Sequence, residues 1–169
     1  MSKYYLIFGG IAGSLSAVLE YMIYSGRVGF DKMGGVLFGK ILALLGCIVF
    51  AVVLIRKMYG SVSFLRVSFS GLMIALVCSA FSGIGYSMMH YPDGSFFNDA
   101  KEYTYNHWLE TNKDNPEEMA RKAEARQEID NQFSLKYHSL LDTGMYLAIG
   151  LVFTAFFAGF IADRKSLAG

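Results

Sequence analysis

The feature that most constrains this chain is the gathering of its apolar residues into four long blocks, with nearly all the charges confined to the segments between and around them. A helix rises about 1.5 Å per residue, so a block of roughly twenty residues crosses a hydrocarbon core of about 30 Å. Within lipid, backbone polar groups are satisfied only in a helix or a closed barrel, and continuous apolar runs without strand-like alternation select the helix. The expected fold is therefore all-α: a four-helix transmembrane bundle with spans at about 4–24, 36–55, 65–89 and 140–162, and an external helical insert at 91–139 between the third and fourth spans. One membrane domain accounts for residues 1–169; the 54% hydrophobic content exceeds what a soluble core of this length needs.

The block ends carry the topology. Arg56-Lys57 closes the second block, Arg66 stands just inside the third, His90-Tyr91-Pro92-Asp93-Gly94 ends it, and Asp163-Arg164-Lys165 closes the fourth. Lys3, Arg56, Lys57, Arg66, Arg164 and Lys165 fall on one side, whereas the short loop on the other has only Arg27 and Lys32. Basic residues beside spans are retained in the cytoplasm, so both termini are expected inside an inner membrane and 91–139 outside. Ser14-Leu15-Ser16-Ala17 resembles a signal-peptide cleavage site, but the apolar run continues to Tyr24 and a retained helix is expected.

The insert is acidic, with ten carboxylates from Asp93 to Asp130 against six Lys or Arg from Lys101 to Lys136. Phe96, Phe97, Ala100, Tyr103, His107, Trp108 and Thr111 recur at helical spacing and predict an amphipathic helix with Trp108 as its anchor. Asn115 as cap, Pro116 in the first turn and Glu117-Glu118 at the positive end of the dipole predict a second helix. Glu117 with Arg121 and Glu118 with Lys122 are set for i,i+4 pairs, and the absence of Pro and Gly over 117–143 lets this helix run towards the fourth span with a bend near Asn131.

Glu20 is an ionisable group inside a span and needs a partner or water. If the first two spans form an antiparallel hairpin, Lys40 lies at the same depth and supplies a candidate intramembrane ion pair, either a packing device or part of an ion path. His90, His138 and Asp142 form a candidate outer-face polar cluster, with His138 and Asp142 one turn apart. No metal ligand set is assigned and no cofactor is expected. Cys47 and Cys78 fall in apolar blocks and read as packing residues.

Gly71, Ala75, Ser79, Gly83 and Ser87 repeat every four residues along the third span, a helix-packing stripe that lets another helix approach closely. Gly9 with Gly13, Gly35 with Gly39, and Ala155 with Gly159 do the same elsewhere; whether one stripe serves another protein or a second copy stays open. There is no GxSxG elbow, P-loop, HExxH or CxxC pair, so no enzyme is expected. The basic residues are the edge of a membrane protein, which excludes nucleic acid.

A first span with a late carboxylate (Glu20), a second ending in Arg56-Lys57, a third with Phe69-Ser70-Gly71, a charged insert and the tail Asp163-Arg164-Lys165 together resemble the bacterial multi-pass membrane proteins catalogued as domain of unknown function forty-one ninety-nine. The resemblance covers the whole chain and implies the bacterial inner membrane, without catalytic residues. Genes of that family stand beside membrane-associated glycosyltransferases, which implies a non-enzymatic partner or assembly subunit in envelope glycan or lipid assembly. The alternative is a small oligomeric transporter or channel that uses Glu20 and Lys40. The expected partners are the lipid bilayer and either a membrane protein or further copies of the chain.

Overall fold

A computed structural model of the chain describes residues 2–60, 62–91 and 94–161, so the tail Asp163-Arg164-Lys165 lies outside the described residues. Every regular element among them is helical: α1 (Ser2–Tyr24), α2 (Met33–Tyr59), α3 (Phe64–His90), α4 (Asn98–Asn112), α5 (Pro116–Ala120), α6 (Lys122–Gln132) and α7 (Leu135–Ile161), with single 3-10 turns at Phe30–Lys32 and Ser95–Phe97. α1, α2, α3 and α7 are long and apolar enough to cross a membrane. Their outward faces are apolar too, as at Phe50 (71% exposed) and Phe156 (64% exposed), a surface that lipid covers without penalty.

α3 is the central helix, flanked by α1 and α7, and α2 packs chiefly on α1. Small residues set these approaches. A Cβ on Gly9 would lie 2.8 Å from the Ile74 carbonyl oxygen, and one on Gly13 would lie 2.5 Å from that of Cys78, so α1 rests on the backbone of α3. The expected stripe on α3 divides in two. Gly71 faces Thr154 and Ala75 faces Gly150 on α7, while Ser79 Oγ lies 2.7 Å from Thr143 Oγ1. A Cβ on Gly83 would meet nothing within 4 Å, and exposed Ser87 donates to the Gly83 carbonyl of its own helix. A strict four-residue repeat drifts around a helix of 3.6 residues per turn, so only its first half can face one neighbour. On α7 the buried row is Gly150, Thr154 and Ala158; Ala155 and Gly159, the pair expected from sequence, are exposed.

α2 ends at Gly60, whose φ of 73° lets its N–H close on the Arg56 carbonyl at 2.9 Å. Ser63 caps α3 by accepting from the Arg66 N–H at 3.4 Å. Asn115 accepts from the N–H groups of Glu117 and Glu118 as the cap of α5. The helix it opens is short, however, and a turn at Arg121 separates it from α6. That break rotates Arg121 onto Glu124 at 2.8 Å and Glu118 at 4.0 Å, in place of the Glu117 partner expected from continuous helix. A second break at Phe133 and Ser134 ends α6, so α7 starts five residues ahead of the expected span and 116–139 is not one helix. The Ser134 hydroxyl takes both local options there, donating to Asn131 O at 2.6 Å and accepting from Tyr137 N.

α4 to α6 close over the Tyr24–His90 end of the bundle. Phe97, Ala100, Ile129 and Phe133 are buried in a cluster with Tyr86 of α3, and Tyr24, Phe30, Met89 and Trp108 pack against it. The inward face of α4 runs through Ala100, Thr104 and Trp108, continuing from Phe97 of the turn before it; Tyr103, His107 and Thr111 of the expected stripe are exposed.

Candidate functional site

Glu20 of α1, Lys40 of α2, Ser82 of α3, and His138 and Asp142 of α7 converge about one or two turns below that end, a point to which every long helix contributes. Lys40 donates to Glu20 Oε1 and to both Asp142 oxygens, at 3.1 and 2.9 Å. His138 Nε2 lies 3.0 Å from Glu20 Oε1 and 3.6 Å from Asp142 Oδ2, and Ser82 donates to Asp142 Oδ2 at 3.1 Å. Glu20 and Lys40 are each only 4% exposed.

The sequence places these groups by simple offsets. His138 and Asp142 are one turn apart on α7 and reach the same partners, and the early start of α7 puts them inside the bundle rather than at its rim. Aromatic rings complete the enclosure: the Tyr86 ring stacks on the His138 imidazole with centroids 3.6 Å apart, and Lys40 Nζ sits 5.6 Å from the Tyr146 ring.

Two groupings expected to be separate are thus one. Glu20, Lys40, His138 and Asp142 share a cluster, while His90 leaves it and bonds the Phe133 carbonyl oxygen at 2.8 Å. The same carbonyl accepts from Tyr86 Oη at 3.0 Å, so the hinge between α6 and α7 is tied to α3 by two side chains. His90 was expected beside Asp142 because both stand near one bundle end; α3 aims it instead at the chain crossing above. Sequence reasoning missed Ser82 and Tyr86. Their signal was the four-residue spacing Ser82, Tyr86, His90, a second polar row on α3 beside the stripe that carries Ser79 and Ser87.

A cleft of about 300 Å³ opens beside the cluster, with Glu20, Lys40, His138 and Asp142 on its floor and Ile23, Tyr24, Met33, Val36 and Leu37 along its wall. Deeper in the bundle, Leu44, Ile48, Ile74 and Ala75 are wholly buried and form an apolar seal. Ligand-type atoms of Glu20, His138 and Asp142 lie within 4.8 Å of one another, a spacing a metal ion could use. The Lys40 ammonium, however, already bonds both carboxylates and acts as the resident cation. With a neutral imidazole the four side chains sum to one negative charge, and Glu20 Oε2 accepts no hydrogen bond among the described residues.

A family model described as "Protein of unknown function (DUF4199)" matches residues 7–162. No curated protein and no solved structure matches the chain.

Proposed function

The chain belongs to the DUF4199 family, a membership that assigns no activity, and we propose from the geometry that it is a non-enzymatic, multi-pass component of the bacterial inner membrane that responds to protons reaching it from one side. The observation that carries this reading is the cluster of buried Glu20 and Lys40 with half-buried His138 and Asp142, open to a cleft at one end and closed by apolar packing at the other. Ionisable groups in a membrane interior are expensive and mark functional sites more often than packing devices. Both termini lie in the cytoplasm on this reading, so the cleft and the α4–α6 insert face outwards, as the distribution of basic residues supports.

The chemistry is a charge balance. One proton on His138 takes the cluster from one net negative charge to neutrality. Its ring stacks on Tyr86, whose hydroxyl holds the Phe133 carbonyl, so the protonation state bears on the hinge from which the insert hangs. The insert then serves as the contact for a membrane-protein partner in envelope glycan or lipid assembly, a glycosyltransferase being the partner that the family's gene neighbourhoods suggest.

Trp108 is the only tryptophan of the chain and packs against the insert cluster, which gives a direct readout. Its emission in lipid nanodiscs is expected to shift on acidification in a His107→Asn background, where the neighbouring imidazole cannot quench it. His138→Gln is expected to abolish the shift; a shift that persists in that variant overturns the reading. A transporter is the second reading, favoured by the same intramembrane charges, and it requires the Leu44–Ile74 layer to open. It expects proteoliposomes to dissipate an imposed pH gradient faster than empty vesicles and Glu20→Gln to stop this; equal rates for parent and variant exclude it.

A further inference from the structure

We propose that the cleft between α1, α2 and α7 is a binding site for an organic ammonium ion carrying a short apolar chain. This deepens the reading of the cluster as a site with one negative charge to spare, and rests on it. The floor of the cleft holds two carboxylates against one ammonium, and Ser82 and His138 satisfy oxygens that Lys40 already engages. Glu20 lines the cleft at 4% exposure; its Oε2 is sealed from solvent and accepts no hydrogen bond among the described residues, so a ligand in the cleft engages it by a turn of the carboxylate. A buried carboxylate oxygen without a donor is a strong acceptor waiting for one, and a charged donor is worth about twice a neutral one there.

The alternatives fit less well. An anion meets a floor of net negative charge whose one lysine is doubly paired. A divalent metal ion among Glu20, His138 and Asp142 has to displace Lys40, and the doubled charge overshoots the balance. A bare monovalent ion leaves the wall of Ile23, Met33, Val36 and Leu37 unused. An ammonium group donates to Glu20 Oε2, restores neutrality and lays its chain along that wall, with the Tyr24 ring beside it for cation–π contact. At about 300 Å³ the cleft holds a headgroup and a few methylenes. The ammonium could come from a lipid headgroup or a free amine, two sources of one chemistry.

The test uses the full chain in nanodiscs of phosphatidylcholine, titrated with hexylammonium and followed calorimetrically. Saturable binding about tenfold tighter than that of hexanol or hexyltrimethylammonium is expected, the worth of one hydrogen bond to a charged group. Glu20→Gln is expected to remove that margin. Because this variant disturbs the cluster itself, Val36→Phe serves as the second arm: it fills the cleft from the wall and is expected to block binding. Hexylammonium binding no tighter than hexanol, or binding unaffected by Val36→Phe, overturns the proposal. Loss of the pH response with binding intact removes the proton reading instead. Repeating the titration in phosphatidylethanolamine assigns the source: competition marks the lipid headgroup, and unchanged binding a free amine.

Discussion

Lys40 stands between two carboxylates at 4% exposure, and removing it does more harm than removing the pair. Lys40→Met leaves buried Glu20 and half-buried Asp142 without their common counter-ion, a loss of about 3–5 kcal/mol. The double change Glu20→Gln with Lys40→Met takes away one charge of each sign and is expected to be milder; denaturant unfolding of the detergent-solubilised protein measures both. On the insert surface, the hydrogen bond from Arg126 at 2.6 Å holds the Glu102 carboxyl below the ordinary carboxylate range, opposed by a weaker desolvation and helped by the guanidinium charge. A depressed carboxyl contributes stability that is present above its unfolded pKa and is lost as pH falls through the lower folded value. Glu102 is therefore expected to titrate below the ordinary glutamate range when followed by carboxyl-carbon NMR, and Arg126→Gln is expected to return it to that range.

At the scale of elements, glycines with the same composition signal separate into two kinds. A Cβ at Gly13 would come within 2.5 Å of the Cys78 carbonyl oxygen and of Phe81 Cβ, neither of which is a flexible tip, whereas one at Gly46 or Gly144 would meet nothing within 4 Å. Gly13→Ala therefore forces α1 away from α3 and is expected to destabilise by about 1–3 kcal/mol. Gly46→Ala is expected to be neutral or stabilising by up to about 1 kcal/mol through helix propensity. Parallel unfolding curves distinguish them, and equal effects at the two positions contradict the close α1–α3 contact. The register error at Ala155 and Gly159 has the same origin. Both faces of α7 carry small residues, and only the contacts with Gly71 and Ala75 decide that Gly150, Thr154 and Ala158 turn inwards.

Across the whole molecule, the α4–α6 insert and the bundle are held together by shared aromatic packing, with Tyr24 and Tyr86 ring centroids 4.8 and 4.9 Å from that of Phe97, and by the two side chains on the Phe133 carbonyl. Tyr86→Phe keeps the ring and loses one of those bonds, so faster hydrogen exchange at the α6–α7 hinge is expected without loss of the long helices. The number of long helices, their approximate limits and the all-α architecture were legible in the sequence because the bilayer imposes a length and a polarity on each span. The candidacy of Glu20 and Lys40 was legible too, since a charge inside an apolar block stands out one residue at a time. Tertiary structure alone decided that His138 and Asp142 join them, that His90 does not, and that the helix through 116–139 breaks at Arg121 and Phe133. Those outcomes depend on helix rotation and on competition among partners for the same buried groups. A local pattern fixes the periodicity of a helix, but the neighbours it meets fix its azimuth.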